Sequence, residues 1–97
     1  MVEKIQKFQL TLIIHGRVQD VDYRYFAEVN ARALGLFGFV RNDIEGTVTV
    51  VAEGEKEKLQ KFKMSCAEGP PYAEVWRIEE DWKEIEKLNF SKFEIIR

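Results

Sequence analysis

The amino-acid sequence predicts an α+β sandwich, in which two helices pack on one face of an antiparallel sheet. Strand-like segments, rich in alternating or β-branched apolar residues, flank two segments whose apolar residues recur every three to four positions. Their order is β-α-β-β-α-β with a short last strand, which is the order of the ferredoxin-like split βαβ arrangement. Because 97 residues are enough for one hydrophobic core, we expect a single domain over residues 1–97.

The first half of the chain predicts a strand, a helix and a hairpin. Apolar residues at every second position predict the first strand over residues 8–15. Apolar residues three and four positions apart predict a helix over residues 23–34, with Gly35 as its C-terminal cap. Residues 37–42 and 47–53 are rich in β-branched and aromatic side chains, and a turn containing glycine joins them, so they predict the two strands of a hairpin.

The second half of the chain predicts one helix and two strands. The helix is expected to begin near Glu55, because acidic residues precede lysines as the helix dipole favours, and to stop at the glycine and prolines of residues 69–71. A fourth strand is predicted over residues 73–82 and a short final strand over residues 92–96. The charged residues 83–89 between them predict a mobile connection.

The composition favours a small soluble protein. Hydrophobic residues make up 45% of the chain, and 15 basic residues nearly balance 17 acidic ones, so nothing points to disorder or to nucleic acid. The single cysteine, Cys66, cannot form an internal disulfide and is expected to pack as a small apolar residue, which favours a reducing compartment. No signal peptide or membrane-spanning stretch is evident, so we expect a cytoplasmic protein without a membrane partner, and a monomer is the default expectation.

The most informative feature is the run GRVQDVDYR at residues 16–24, between the first strand and the first helix. Backbone N–H groups of a loop that leads into a helix N-terminus can point together at an anion. Arg24 falls in the first helical turn, where a cation opposes the helix dipole, so its placement indicates a role in binding a ligand. A guanidinium matches two phosphate oxygens and stays charged at physiological pH. The run therefore predicts an anion-binding loop.

These residues resemble the motifs of the acylphosphatase family. The run at residues 16–24 is similar to the family pattern G-x-V-Q-G-V-x-F-R, and LGLFGFVRN at residues 34–42 is similar to L-G-x-x-G-W-V-x-N. The resemblance continues in order over nearly the whole chain, with further matches at residues 45–46, 48–50, 52–54, 69–71 and 93–95. Acylphosphatases hydrolyse the mixed anhydride of a carboxylic acid and phosphate, so the resemblance implies an enzyme that acts on small acyl phosphates.

The resemblance also implies a role for each site residue. Arg24 and the loop amides would hold the phosphoryl oxygens and stabilise developing charge, and inorganic phosphate or sulfate would bind in the same place. The carboxamide of Asn42 would orient the attacking water. No metal and no cofactor is implied. The phosphate-binding loop comprises Gly16, Arg17, Val18, Gln19, Asp20 and Val21.

Asp20 is the main departure from the family pattern, because it stands where the motif has its second glycine, and Asp22 adds a second acid nearby. A like charge beside a phosphate opposes its binding. Aspartate tolerates a positive φ better than most residues, so its charge is expected to matter more than its backbone. The alternative function is a catalytically weak or inactive anion-binding or interaction module on the same fold.

Several residues have competing interpretations. Without the motif, Arg24 would be a solvated helix arginine and Asn42 a residue that starts a turn. The only histidine, His15, precedes the loop as a general base would, although a strand-end residue is the favoured interpretation. Trp76 and Trp82 are separated by an even number of residues, which predicts packing on one sheet face and not a platform for stacked bases.

Overall fold

The computed structural model describes residues 5–97, so the first four residues of the expected domain lie outside it. The bounds of the predicted elements differ from the observed ones by three residues or fewer. The elements are β1 (Lys7–Arg17), α1 (Tyr23–Ala33), β2 (Phe37–Asn42), β3 (Val48–Gly54), α2 (Lys56–Glu68), β4 (Glu74–Ile85) and β5 (Phe93–Ile96).

The strands form one mixed sheet in the order β4-β1-β3-β2-β5. β1 pairs antiparallel with β3 and β4, and β2 pairs antiparallel with β3. The prediction of an antiparallel sheet is corrected for the last strand, because β5 runs parallel to β2. The connection after β4 crosses from one edge of the sheet to the other at the end where β4 finishes. β5 therefore starts at that end and runs in the direction of β2.

The hydrophobic core lies between the helices and one face of the sheet. Every second residue of β1 and β3 is buried there, and each helix adds three buried side chains. Burial of a Leu or Phe side chain stabilises the fold by about 1.5–3 kcal/mol, so these contacts hold the helices on the sheet. The prediction for Cys66 is confirmed, because its side chain is fully buried in this core. The central residues are Leu10, Leu12, Ile14, Tyr23, Ala27, Ala31, Val48, Val50, Ala52, Leu59, Phe62 and Cys66.

The connection between β4 and β5 is anchored, so the prediction of a mobile segment over residues 83–89 is corrected. β4 continues to Ile85, because β1 extends far enough to pair Lys7 with it. Asn89 then donates from its backbone N and its Nδ2 to the fully buried carboxylate of Glu53, at 2.6 and 2.7 Å. Gln9 Nε2 donates to the same carboxylate at 2.6 Å. The two Asn89 donors thus hold the connection on the face of the sheet opposite the helices, and Gln9 on β1 fixes the carboxylate that accepts them.

The carboxyl ends of three strands meet at the same end of the sheet. β1 and β2 are both antiparallel to β3, so they run in the same direction, and β5 is parallel to β2. α1 begins a few residues after β1 ends, which places its N-terminus at the same end of the sheet. Arg17, Asn42 and Ile96 are the last residues of these strands. Within residues 5–97, neither helix is long and apolar enough to cross a membrane.

Candidate active site

A cavity of about 420 Å³ opens at this end of the sheet, where the carboxyl ends of β1, β2 and β5 lie. It is bordered by the loop after β1, the first turn of α1 and the ends of β2 and β5. Arg24 and Asn42, which the sequence predicts as catalytic residues, both line it. The other lining residues are Val18, Asp20, Asp22, Tyr23, Tyr25, Ile95 and Arg97.

The loop starts later than the sequence predicts. Gly16 and Arg17 are the last two residues of β1 and pair with Val75 and Glu74. A β-bulge next to Gly16 lets this pairing continue. A Cβ atom at position 16 would lie 1.9 Å from the carbonyl oxygen of Glu74, so the glycine permits the two strands to approach. The loop itself comprises residues 18–22.

The loop presents a run of unpaired backbone N–H groups. None of those of residues 18–25 donates to a backbone oxygen within residues 5–97, and the first such bond of α1 joins Phe26 N to Asp22 O at 3.0 Å. φ is 61° at Asp20 and 63° at Asp22, and negative at Val21 between them. Alternation in the sign of φ turns successive N–H groups toward one concave side, and the helix dipole adds positive potential there. This backbone is suited to an anion.

Asp20 and Asp22 fit the backbone of the loop but bring charge to the cavity. Aspartate is among the residues that tolerate a positive φ, so neither position demands glycine. Both side chains are exposed, and Asp22 does not cap α1 with its carboxylate. None of the ion pairs within residues 5–97 includes either acid. Their charge is therefore screened by solvent and not neutralised by a bound cation of the chain.

Arg24 is half-buried in the first turn of α1, and within residues 5–97 it makes no ion pair. The preceding residue anchors that turn, because the hydroxyl of Tyr23 donates to the carbonyl oxygen of Cys66 in α2 at 2.6 Å. Burial, reinforced by the neighbouring Cys66, raises the pKa of the Tyr23 hydroxyl well above its ordinary value. Tyr23 thus positions the helix and keeps its proton, while the guanidinium of Arg24 is left to face the cavity.

Asn42 ends β2, where its backbone pairs with Val48. Its Oδ1 atom is buried and accepts no hydrogen bond from the part of the chain that the structure describes. An unsatisfied buried acceptor costs free energy, so it is expected only where another group supplies the donor. Asn42 thus lines the cavity with an acceptor that the described residues leave unpaired.

Two of the predicted loop residues point away from the cavity. Val21 packs against the hydrophobic core. Gln19 donates through Nε2 to the carbonyl oxygens of Asp43 and Thr47, at 2.7 and 2.9 Å, in the turn between β2 and β3. The structure thus brings Val18, Asp20, Arg24 and Asn42 together and turns the side chains of Gln19 and Val21 elsewhere.

His15 lies outside the cavity, on the open face of the sheet. Its Nε2 lies 2.6 Å from Glu79 Oε2 and 3.2 Å from Arg77 Nη2. The hydrogen bond with His15 and the charge of Arg77 lower the pKa of Glu79. The interpretation of His15 as a strand residue is confirmed, since β1 passes through it.

The sequence did not predict Tyr25, Ile95 and Arg97 as lining residues. The last two reach the cavity because β5 pairs in parallel with β2 and places Ile96 beside Arg41, one residue before Asn42. That strand order is not visible in a pattern of apolar residues. The i, i+1 spacing of Arg24 and Tyr25 was the one available signal, because both belong to the first turn of α1.

Fold and cavity together define a small α+β domain in which a loop suited to an anion lies at the carboxyl ends of the strands. The family model of acylphosphatase matches residues 10–95, and the chain belongs to this family. It is 41% identical over 88 residues to an acylphosphatase of Acaryochloris marina, covering 91% of this chain and 92% of that one. It is 40% identical to an acylphosphatase of Thermococcus kodakarensis, covering 91% of this chain and 97% of that one.

A solved structure agrees with the family. The crystal structure of acylphosphatase from Bacillus subtilis superposes with a TM-score of 0.84 at 34% identity, covering 93% of this chain and 99% of that one. Acylphosphatases are hydrolases, and the protein is an enzyme that acts on acyl phosphates. The predicted ferredoxin-like fold and the predicted activity are confirmed.

Proposed function

We propose that the loop and Arg24 hold the phosphoryl group of a small acyl phosphate. The observation that carries this proposal is the run of N–H groups over residues 18–25, unpaired within residues 5–97, beside a guanidinium that makes no ion pair with those residues. Hydrogen-bond donors fixed before the substrate arrives stabilise the charge that develops on phosphoryl oxygens without reorganising. The loop amides supply orientation and Arg24 supplies charge. Inorganic phosphate and sulfate have the same tetrahedral oxygens and bind at the same place.

Asn42 orients the water in this proposal. Its Oδ1, which accepts no hydrogen bond from residues 5–97, accepts one from the water, and an amide is too weak a base to remove the proton of the water. The water oxygen bonds to phosphorus as the bond from phosphorus to the acyl oxygen breaks. The carboxylate leaves with the electron pair, and a phosphoryl oxygen of the substrate takes the proton of the water. The products are a carboxylate and inorganic phosphate.

The reaction requires no metal and no cofactor in this scheme, because positioning and charge stabilisation are sufficient when the leaving group is a carboxylate. We also propose that one domain over residues 1–97 acts as a monomer in the cytoplasm. The lone, fully buried Cys66 supports a reducing compartment, since it has no cysteine partner in the chain.

Hydrolysis of benzoyl phosphate, with an ordinary phosphomonoester beside it, tests the activity. We expect turnover of the acyl phosphate alone, an unchanged rate in the presence of a chelator, and competitive inhibition by inorganic phosphate. Loss of activity on chelation would contradict the metal-free scheme. Non-competitive inhibition by phosphate would place the anion outside the cavity.

Two substitutions separate the proposed roles. Arg24→Ala is expected to lower kcat about 100-fold and to weaken phosphate inhibition, because it removes a charge that contacts the phosphoryl group. Asn42→Ala is expected to lower kcat about 100-fold with phosphate inhibition nearly retained, because it removes only the acceptor for water. Arg32→Ala, at the other end of α1, is the matched control. Equal loss of phosphate inhibition in both site variants would make Asn42 a binding residue.

A further inference from the structure

We propose that Gln19 is a positioning residue, which fixes the distance between the phosphate-binding loop and Asn42. Its side-chain amide joins the loop to the turn between β2 and β3, through Nε2 contacts of 2.7 Å to Asp43 O and 2.9 Å to Thr47 O. The inference rests on the proposed function of the cavity. It assigns a catalytic consequence to a side chain that does not line the cavity.

Both contacts use the amide nitrogen of Gln19. Because two carbonyl oxygens face this end of the carboxamide, it must be the NH2 group, which has two protons to donate, and not the oxygen. Each proton therefore has its own acceptor, and the two acceptors belong to the two ends of one turn. The planar amide is fixed in orientation as well as in distance.

The turn does not need Gln19 for its own closure. Asp43 O also accepts from Gly46 N at 3.1 Å, and Thr47 O also accepts from Asp43 N at 2.9 Å. The carboxylate of Asp43 further accepts from the hydroxyls of Thr47 and Thr49, each at 2.7 Å. Since the turn is closed by these bonds, the contacts of Gln19 serve to attach the loop to it.

The loop has no other polar attachment to the hairpin among residues 5–97. The pairing of β1 with β3 ends at Ile14 and Val48, and β2 ends by pairing Asn42 with the same Val48. Beyond that point the N–H groups of residues 18–25 bond to no backbone oxygen of the described residues. Gln19 precedes Asp20 in the loop, and Asp43 follows Asn42. The amide bridge is therefore one residue away from the cavity on both sides.

Loss of the bridge is expected to change the rate more than the binding of phosphate. The loop amides and Arg24 lie on one continuous segment, which binds phosphate by itself. The water on Asn42 must instead be aligned with the phosphorus atom between two segments, the loop and the end of β2. A displacement of about 1 Å between reacting groups can lower a rate about 100-fold. Gln19 thus acts on kcat through Asn42.

Gln19→Met tests this proposal, because methionine has a similar unbranched length and no donor. We expect kcat for benzoyl phosphate to fall about 10- to 100-fold, with KM and the inhibition constant of phosphate changed less than about threefold. Gln9→Met is the matched control. It makes the same change on β1 and breaks the 2.6 Å bond to the buried Glu53, so it lowers stability without lowering kcat. Gln19→Ala serves as the second variant if the methionine is poorly accommodated.

The double variant with Asn42→Ala distinguishes positioning from a general structural role. If Gln19 acts through Asn42, then Gln19→Met in the Asn42→Ala background changes kcat less than about threefold. The same fall in both backgrounds, or a rise in the phosphate inhibition constant that matches the fall in kcat, overturns the proposal. An active parent whose Gln19 variants keep their kcat also overturns it. A parent that does not hydrolyse acyl phosphate refutes the proposed function instead.

Discussion

Substitution of Asp20 tests whether its carboxylate limits the rate. Asp20 lines the cavity with Arg24 and Asn42, is exposed, and has a φ of 61°. Asp20→Asn removes the charge and keeps a side chain of the same shape, which also tolerates a positive φ. Asp20→Gly removes the charge and the side chain together. The two variants thus separate electrostatic repulsion from crowding and backbone strain.

The expected magnitude follows from the exposure of Asp20. Two unit charges about 6 Å apart interact by about 0.7 kcal/mol at the dielectric constant of water and by about 2.8 kcal/mol at an effective value of 20. Because the carboxylate is exposed and pairs with no cation within residues 5–97, we take the lower figure. A phosphoryl group with two negative charges doubles it to about 1.4 kcal/mol, which is about tenfold in rate.

The assay is the initial rate of benzoyl phosphate hydrolysis at substrate concentrations below KM, at low and at high salt. We expect Asp20→Asn and Asp20→Gly to raise kcat/KM by about tenfold at 0.1 M ionic strength. The ratio of kcat/KM between variant and parent should fall toward one at 1 M ionic strength, because the screening length decreases from about 10 Å to about 3 Å. Asp81→Asn, on the exposed side of β4, is the control.

The outcomes have distinct meanings. An increase for glycine but not for asparagine would assign the effect to crowding or backbone strain. If neither variant is faster than the parent, the carboxylate does not act on the bound phosphate, and the reasoning from charge is refuted. A gain that is equal at both salt concentrations would also contradict an electrostatic cause.

Two further predictions concern stability and are checked by urea denaturation. Gly16→Ala is expected to lower the free energy of unfolding by about 3 kcal/mol, because its Cβ would lie 1.9 Å from a backbone oxygen. Gly35→Ala, in open space, should lower it by about 1 kcal/mol because of the positive φ. Equal losses would contradict the close approach of the two strands at Gly16. Burial favours a higher pKa for Asp43, but hydrogen bonds from Thr49, Thr47 and Arg41 outweigh it and lower the pKa. Stability from Asp43 is therefore present above about pH 4 and lost as the pH falls through its lower folded pKa, so Asp43→Asn should destabilise the protein at pH 7 and much less at pH 2. An equal difference at both pH values would refute this linkage.

Local patterns predicted the elements because each depends on its own residues. Alternation in β1 and the three-to-four spacing in α1 persist over several turns or pleats, and Gly35 and residues 69–71 end the helices. The direction of β5 was not predictable in this way. It depends on where a long connection crosses the sheet and on the two hydrogen bonds from Asn89 to Glu53 that anchor it.

Trp76 and Trp82 show how one irregularity overrides a period of two. Trp82 packs against the core as predicted, with its ring 6.4 Å from that of Phe8. The prediction for Trp76 is wrong, since it is 73% exposed. The β-bulge opposite Gly16 inserts an extra residue, so Val75 takes the inward position. The bulge depends on contacts between two strands distant in sequence.

The motif at residues 16–24 predicted a loop, but it could not distinguish the tasks of its members. Gly16 permits two strands to approach, Val21 packs against the core, and Gln19 bonds to a neighbouring turn. Only the tertiary arrangement separates these tasks from that of Arg24, which lines the cavity. A motif therefore predicts the place of a site better than the role of each residue in it.

An acyl phosphate has a leaving group that departs without a proton, which matters because the buried tyrosine and the only histidine hold other partners. The hydroxyl of Tyr23 is committed to Cys66, and burial raises its pKa further from neutrality, while His15 bonds to Glu79 on another face. Neither residue can protonate a leaving group in the cavity. A carboxylate leaves unaided, because its conjugate acid has a pKa of about 4, whereas the alkoxide of a phosphomonoester needs a proton. The activity on acyl phosphates thus agrees with the commitment of Tyr23 and His15 to other partners.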